Sequence, residues 1–206
     1  MKVLCVGRNY ARHAKEMGVA TPHEPIWFLK PDSSIVGDGE PTVLPAGIGQ
    51  VHHEVELAVR IATPLRRVAA KDSVRHVDSM TVALDITARD LQDAAKKAGQ
   101  PWAMAKGFDT FCPLGTWHPV DRDLQALTLR LTIDGQVRQQ GSTGDMTWTV
   151  ADLLSRASQW TTLNAGDVLL TGTPEGVGPI QAGQTLVSEL VGVVRMHTPV
   201  VAARSA

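Results

Sequence analysis

Glu54 and Glu56 stand two positions apart in residues 54–61, a segment whose alternation of polar and apolar side chains predicts a strand. Side chains two positions apart on a strand point to the same face, so both carboxylates project from one side. Two like charges held side by side repel each other unless a cation or a basic group lies between them. Taken alone, the pair fits a solvated strand face as well as it fits a cation site.

Asp85 favours the cation site. It interrupts residues 82–86, VALDI, a run that is otherwise apolar enough to be a buried strand. An unpaired carboxylate in such a place costs several kcal/mol, or its pKa shifts upward instead. A cation shared with Glu54 and Glu56 would account for all three acidic residues. Three carboxylate oxygens, with water at the remaining positions, suit Mg²⁺ or Mn²⁺ better than zinc.

His13, Glu16 and Lys106 are candidates for acid–base and electrostatic chemistry. On a helical turn the three-residue spacing lets Glu16 accept a hydrogen bond from the imidazole of His13 and orient it as a general base. The pattern H-x-x-E is nevertheless common by chance. Lys106 follows the apolar residues 102–105, which can carry its ammonium into a cleft where it neutralises an enolate or a carboxylate. An isolated lysine is more often an ordinary surface residue.

Residues 171–174, TGTP, and residues 176–179, GVGP, form a glycine-rich turn after an expected strand. The backbone N–H groups and a threonine hydroxyl of such a turn can bind an anionic substrate. As a single motif, the segment is more typical of a structural turn.

The elements that must position these residues are mostly short strands separated by glycine and proline. Strands are predicted at residues 2–6, 25–29, 54–61, 80–86, 127–133, 136–140, 167–170, 186–191 and 193–197, and helices at 10–17, 69–77, 88–98 and 150–159. Asp134 and Gly135 predict a hairpin turn, and residues 37–49 a loop. The pattern indicates one β-dominated α+β domain over residues 1–206. No G-x-G-x-x-G follows a strand, which argues against a dinucleotide-binding βαβ unit.

The composition excludes several classes of protein. The 206 residues contain 20 Lys and Arg against 21 Asp and Glu, so the overall charge favours neither nucleic acid nor an anionic membrane as a partner. Cys5 and Cys112 are too few for a disulfide scaffold, and they lack the C-x-x-C spacing of a zinc site. No apolar run reaches the length of about 20 residues that a membrane span needs, and no secretory signal is recognisable. The cytoplasm is therefore the expected compartment.

Together these features resemble the fumarylacetoacetate hydrolase family, and most closely its short, single-domain members, which act as acylpyruvate hydrolases or oxaloacetate decarboxylases. The matching segments cover most of the chain in the family's order: GRNYARHAKE at 7–16, FLKP at 28–31, HHEVELAV at 52–59, ALDITARDLQ at 83–92, GQPWAMAKGFDTFCPLG at 99–115 and LLTGTPEGVGP at 169–179. The resemblance implies the β-roll of this family, built of mixed sheets with short helices. It also implies a homodimer.

The resemblance further implies roles for the residues already singled out. Glu54, Glu56 and Asp85 match the family's divalent-metal triad. His13 and Glu16 match a dyad that activates water, on a segment that orders over bound ligand.

The remaining matches concern the substrate. Lys106 matches the lysine that approaches the substrate oxygen, and Thr173 the threonine that binds a substrate carboxylate. Gln139 or Gln140 matches a glutamine near the oxyanion, and the doubled glutamine leaves the register open. Larger relatives carry a further acidic metal ligand in the region of Arg8, so Arg8 becomes a candidate for binding a substrate carboxylate instead.

The leading hypothesis is hydrolysis of a C–C bond in a diketo acid of the 3-acylpyruvate type, either an acylpyruvate or fumarylpyruvate. The expected cofactor is Mg²⁺ or Mn²⁺, with Ca²⁺ as a substitute in a crystal. Oxaloacetate decarboxylation passes through the same enolate, so one site can support both reactions. The nearest alternative is an isomerase or tautomerase of a related oxo diacid in aromatic catabolism, which needs proton transfer but no hydrolytic water. A metal-stabilised binding protein without turnover represents a different class. The expected partner is a small oxo acid, with neither nucleic acid nor membrane involved.

Overall fold

The structure is a computed structural model that describes residues 1–16, 18 and 22–203. Its strands are β1 (Val3–Gly7), β2 (Ile26–Lys30), β3 (Ile35–Val36), β4 (Thr42–Leu44), β5 (Val51–His53), β6 (Val55–Ile61), β7 (Val77–Leu84), β8 (Thr87–Ala88), β9 (Cys112–Pro113), β10 (His118–Pro119), β11 (Thr128–Ile133), β12 (Gln136–Ser142), β13 (Val168–Leu170), β14 (Gly178–Pro179), β15 (Thr185–Leu190) and β16 (Val194–Ala202). The helices are α1 (Ala11–Glu16), α2 (Ala70–Ser73), α3 (Arg89–Ala98), α4 (Ala103–Lys106) and α5 (Val150–Trp160), with 3₁₀ turns at Asp32–Ser34, Val74–His76 and Thr143–Asp145. None of the helices in the described ranges is long and apolar enough to cross a membrane.

The strands form mixed sheets, which confirms the predicted β-dominated fold class. The largest sheet has the order β10-β7-β6-β13-β1-β2, with β1 parallel to β13 and the other neighbours antiparallel. A second sheet has the order β12-β11-β15-β16-β4, in which β4 runs parallel to β16. Smaller sheets pair β14-β5-β8 and β3-β9.

The main hydrophobic core lies between the two large sheets, where β6 and β7 face β11, β15 and β16. Alternation along β1 illustrates the arrangement: Leu4 and Val6 belong to this core, whereas Val3 and Cys5 belong to a smaller cluster on the opposite face. Because both faces of its strands are covered, the six-stranded sheet provides a rigid support for the residues at its edge.

Four predicted elements near the site or the core differ from the observed ones. The strand predicted at 54–61 begins at Val55, so Glu54 lies between β5 and β6 instead of within a strand. Residues 37–49 are not loop throughout, because β4 pairs with β16, more than 150 residues further along the chain. Residues 69–77 do not form one helix: α2 is followed by a 3₁₀ turn, and Val77 already begins β7. The predicted strand at 80–86 begins three residues earlier and ends at Leu84, so Asp85 follows the strand instead of lying within it.

Candidate active site

The termini of four neighbouring strands, β7, β6, β13 and β1, lie side by side at one end of the six-stranded sheet. This row of strand termini is the edge referred to below. Val55 on β6 pairs with Leu84 on β7, so the start of one strand lies beside the end of the other. The antiparallel pairing of β13 with β6, and the parallel pairing of β13 with β1, bring the ends of β13 and β1 to the same edge. The candidate residues at positions 8, 54, 85 and 171–174 directly follow or precede these strand ends.

The carboxylates of Glu54, Glu56 and Asp85 converge at this edge. One oxygen of each lies within 4.8 Å of the other two. The three residues are 6%, 1% and 1% exposed, respectively, so the cluster is shielded from water. The backbone N–H of Asp85 donates to the carbonyl oxygen of Glu54 at 2.8 Å, which fixes the two residues relative to each other.

Three buried cations surround the three carboxylates. Lys106 Nζ, on α4, lies 3.0 Å from Glu54 Oε2 and 2.5 Å from Asp85 Oδ2. Arg89, at the start of α3, pairs with the other oxygen of Glu54. Lys30 Nζ, at the end of β2, lies 2.8 Å from Asp85 Oδ1. When all six groups are ionised, their formal charges cancel.

The protonation of the cluster is uneven. Burial raises the pKa of Glu56 well above its usual value, and the charges of Asp85 and Glu54 raise it further. Burial acts in the same direction on Glu54, but the charges of Lys106 and Arg89 outweigh it and lower its pKa. Burial would lower the pKa of Lys106, yet Asp85 and Glu54 outweigh it and raise that pKa. The site therefore favours a charged Lys106 and a charged Glu54, whereas Glu56 forms no ion pair with any residue in the described part of the chain.

The donor set fits a hard divalent cation. The ammonium of Lys30 has three N–H groups. They donate hydrogen bonds to the carbonyl oxygens of Ile86, Lys106 and Phe111, at 3.0, 2.6 and 2.8 Å. As a result, the buried Asp85 Oδ1 has no hydrogen-bond partner among the described residues, although Lys30 is close enough to attract it. An orphaned carboxylate oxygen beside two further carboxylates provides the oxygen ligands that Mg²⁺ and Mn²⁺ prefer.

His13 and Glu16 lie on α1, and His13 lines the same cavity as Glu54 and Glu56. His13 is 6% exposed, and its Nδ1 lies 3.4 Å from Glu16 Oε2. Glu16 also accepts a hydrogen bond from the backbone N–H of Gly176 at 3.1 Å, which ties α1 to the turn after β13. If Nδ1 carries the proton that Glu16 accepts, Nε2 is left unprotonated and available as a base.

The turn after β13 packs closely against this edge of the sheet. The backbone N–H of Gly172 donates to Glu56 Oε2 at 2.7 Å. Gly172 has φ of +93°, and a Cβ there would lie only 2.7 Å from Cβ of Asn9, so both its conformation and its surroundings require glycine. The hydroxyl of Thr173 donates to the carbonyl oxygen of Val55 at 2.8 Å, so its proton is already engaged within the protein.

Gln139 connects this turn to Val55 at the start of β6, between Glu54 and Glu56, whereas the side chain of Gln140 points away. Gln139 Nε2 donates to Thr173 Oγ1 at 2.8 Å, and its Oε1 accepts from the backbone N–H of Val55 at 3.0 Å. Gln140 is exposed, and its Oε1 accepts a hydrogen bond from Arg130 at 3.2 Å. Neighbouring residues of β12 face opposite sides, so only one of the two glutamines can point inward. In this structure Gln139 is therefore the glutamine buried beside the site, and Gln140 faces away from it.

The structure also brings in residues that the sequence interpretation missed. Arg89 and Gln92, one turn apart on α3, are both buried and joined by a hydrogen bond of 2.6 Å. Together with Arg8, Lys96 and Trp102 they line the same cavity as the carboxylates. The segment ALDITARDLQ contains both α3 residues, so their spacing on a predicted helix was the available signal.

The cavity itself is small. His13, Lys106 and Thr173 line it together with Glu54 and Glu56, and its volume is about 30 Å³.

A fold of mixed sheets that brings buried carboxylates, a buried lysine and a histidine to one small cavity defines an enzyme-type site. The chain belongs to the fumarylacetoacetate hydrolase family: the family described as "Fumarylacetoacetate (FAA) hydrolase C-terminal" matches residues 2–201. The predicted family and fold are thereby confirmed.

Relatives within the family differ in the reaction they are named for. The chain is 48% identical over 188 residues to the oxaloacetate tautomerase YcgM of Escherichia coli, covering 90% of this chain and 86% of that protein. It is 43% identical over 195 residues to a mitochondrial oxaloacetate decarboxylase of Dictyostelium discoideum, covering 93% and 89% of the two chains.

Solved structures of the same fold match almost the whole chain. A fumarylacetoacetate hydrolase family protein from Yersinia pestis superimposes with a TM-score of 0.93 at 46% identity, covering 97% of this chain and 93% of that one. The fumarylpyruvate hydrolase of Pseudomonas aeruginosa, in complex with Mn²⁺ and pyruvate, superimposes with a TM-score of 0.92 at 34% identity, covering 98% and 90%.

Proposed function

We propose that this protein is a divalent-metal-dependent enzyme that interconverts the keto and enol forms of oxaloacetate. The observation that carries the proposal is the convergence of Glu54, Glu56 and Asp85 with Lys106 and His13 around one small buried cavity. The 48% identity to an oxaloacetate tautomerase supports the choice of substrate and reaction.

Charge balance supports a dianionic substrate. The three carboxylates and the three buried cations around them cancel when all are ionised. A divalent cation held by Glu54, Glu56 and Asp85 would leave a buried excess of positive charge, which a dicarboxylate neutralises. Such a cation would supply Lewis acidity that polarises the 2-oxo group of the substrate.

The chain's own residues provide the proton transfer. His13 Nε2, with the ring oriented by Glu16, removes a proton from C3 of the ketone, and the electron pair of that C–H bond moves onto the 2-oxo oxygen. Lys106 donates its three N–H groups to Glu54, Asp85 and Thr87 in this structure. One of them turns to the enolate oxygen and stabilises it by a charge-assisted hydrogen bond. Transfer of this proton from His13 to that oxygen gives the enol and restores the neutral imidazole, and the reverse sequence returns the ketone. Closure of α1 over the cavity excludes water that would compete for these hydrogen bonds.

Decarboxylation of oxaloacetate develops negative charge on the same 2-oxo oxygen but forms a different enolate. The bond between C3 and the departing carboxylate breaks, CO₂ leaves, and the electron pair of that bond forms the enolate of pyruvate, which is then protonated at C3. The relative from Dictyostelium discoideum is named for that reaction. We infer that it accompanies the tautomerase activity to an extent set by how well the site aligns the departing carboxylate.

Acylpyruvate hydrolysis is the second candidate function, favoured by the His13–Glu16 pair and by the likeness to a fumarylpyruvate hydrolase. Here His13 would deprotonate a water molecule that attacks the distal carbonyl carbon. The C–C bond then breaks, its electron pair forms the enolate of pyruvate, and that enolate is protonated. This route needs the same lysine but also needs room for water beside His13.

Three assays on one Mg²⁺-loaded preparation test the proposal: decay of the enol absorbance of oxaloacetate, release of pyruvate from oxaloacetate, and release of pyruvate from acetylpyruvate. We expect the first to be accelerated most, and Asp85→Asn to abolish the acceleration. Cleavage of acetylpyruvate without accelerated enol decay would instead establish the hydrolase. No acceleration in any assay would indicate a binding protein without turnover.

A further inference from the structure

A pair of aromatic rings forms one wall of the cavity and carries a lysine at each end. The ring centroids of Phe28 and Trp102 lie 5.7 Å apart. Lys106 Nζ lies 4.8 Å from the centroid of Phe28, and Lys96 Nζ lies 5.7 Å from the centroid of Trp102. The two ammonium groups therefore mark an inner and an outer end of the same cavity, with the carboxylates at the inner end.

Arg8 lies at the outer end as well. It follows β1 in a left-handed backbone conformation with φ of +61°, which is costly for a residue with a side chain and persists only where the surroundings impose it. The surroundings do so here, because Gly7 packs against the ring of Trp102 and the side chain of Asn9 is hydrogen-bonded to Trp148 and Thr171. Among the described residues, the guanidinium of Arg8 has no hydrogen bond and no ion pair.

The outer end is electropositive. Asp93 lies 3.2 Å from Lys96 Nζ and is the carboxylate that balances this lysine, but its side chain is 48% exposed. Burial lowers the pKa of Lys96, and the charges of Arg89 and Arg8 lower it further. An anion at this end would therefore be favoured by Lys96 and by the uncompensated Arg8 together.

We propose that Arg8 and Lys96 form a subsite for the second carboxylate of the substrate, the one remote from the 2-oxo group. The inference rests on the proposed function, because the 2-oxo acid end of the substrate is assigned to Lys106 and the carboxylate triad. It makes the site selective for short dicarboxylates over monocarboxylates of the same oxidation state. The aromatic wall between the two ends holds the carbon chain and excludes water from it.

The test compares the binding of malate and lactate to the Mg²⁺-loaded protein by calorimetry. Malate is lactate with a carboxylate added at C3, and both are stable, so the difference between them reports on the second carboxylate without any turnover. In the wild-type protein we expect malate to bind about ten- to a hundredfold more tightly than lactate, the range of a charge-assisted hydrogen bond. Lys96→Met and Arg8→Met should each reduce this preference while the affinity for lactate stays the same.

Two controls separate charge from packing. Lys96→Arg keeps the positive charge and should retain most of the preference for malate. Lys97→Met removes a neighbouring charge that does not line the cavity and should leave the preference unchanged. Equal affinities for malate and lactate in the wild-type protein, or binding of neither, would overturn the subsite. The subsite would also be overturned if Lys97→Met and Lys96→Met lowered the preference for malate over lactate to the same extent.

Failure of the proposed subsite can be distinguished from failure of the proposed function. A preference for malate that depends on Lys96, in a protein that does not accelerate enol decay, would support the subsite and refute the tautomerase. Accelerated enol decay with no effect of Lys96→Met or Arg8→Met on malate binding would do the reverse.

Discussion

Lys30 and Asp85 form an ion pair that is completely enclosed by protein: their side chains are 0% and 1% exposed, and Nζ lies 2.8 Å from Oδ1. The same ammonium donates to the carbonyl oxygen of Lys106 at 2.6 Å. Lys30 therefore holds in place both a candidate metal ligand and the end of the short helix that carries the candidate oxyanion lysine. Neither of these groups has to be aligned by the substrate.

Lys30→Met should destabilise the protein strongly, because Asp85 Oδ1 and three buried carbonyl oxygens lose their ammonium, while Lys106 pairs only with Asp85 Oδ2. Removing one partner of a buried pair typically costs about 3–5 kcal/mol. Urea denaturation measures the free energy of unfolding. The matched control is Arg156→Met, whose pair with Glu24 is exposed and should cost less than about 1 kcal/mol. Equal costs in the two variants would mean that the Lys30–Asp85 pair does not stabilise the fold.

His13→Ala separates proton abstraction from closure of the cavity. If His13 is the base, enol–keto interconversion should fall by about 10²–10⁴-fold, whereas decarboxylation of oxaloacetate, which needs no base, should fall less. Stopped-flow enol decay and pyruvate release measure the two rates on the same preparation. An equal loss of both would assign His13 to closing α1 over the site.

Lys106→Met keeps most of the side-chain volume and removes the charge next to the enolate oxygen. Tautomerisation and decarboxylation both develop that charge, so both should slow by about 10²–10³-fold. Steady-state kinetics on the Mg²⁺-loaded protein measure both rates, with the exposed Lys71→Met as a control that leaves them unchanged. Retention of either rate in Lys106→Met would show that another group stabilises the enolate in that reaction.

The raised pKa of Glu56 predicts how metal-free protein responds to pH. A carboxyl group whose pKa is higher in the folded than in the unfolded state contributes stability below the unfolded value of about 4.3, and this contribution is lost as the pH rises through the folded value. Glu56→Gln removes the titration. In the presence of a chelator, this variant should be more stable than the wild type at pH 8, with the difference shrinking toward pH 4.

Thermal unfolding with and without Mg²⁺ measures this effect. Mg²⁺ should stabilise the wild type at pH 8 and have little effect on Glu56→Gln, because the cation replaces the proton as the partner of the carboxylate. If the metal-free Glu56→Gln variant were less stable than the wild type at pH 8, the claim that burial raises the pKa of Glu56 would be contradicted.

The carboxylate cluster was predictable from local sequence. Two glutamates two positions apart in a predicted strand and an aspartate that interrupts an apolar run are unusual enough to require a shared explanation, although Glu54 lies just before β6 and Asp85 just after β7. The hairpin at Asp134 and Gly135 and the stop of α3 at Gly99 follow equally from local backbone preferences.

Other parts of the site depend on contacts that no local pattern encodes. The Lys30 residue looks like the end of an ordinary strand, and its burial arises only because β2 lies against residues more than 50 positions away. The choice between Gln139 and Gln140 depends on an irregularity in the pairing of β11 and β12 between Leu131 and Thr132. A shift of one residue reverses which side chain points inward, and only the paired strands determine it.

The central claim is that Glu54, Glu56 and Asp85 together hold one divalent cation. Calorimetric titration with Mn²⁺ tests it, on protein from which metal has been removed with a chelator and the chelator then removed. We predict one Mn²⁺ bound per wild-type chain, with binding lost in Glu56→Gln and retained in Glu40→Gln, an exposed glutamate remote from the cluster. Absence of Mn²⁺ binding in the wild-type protein, or unchanged binding in Glu56→Gln, would contradict the account.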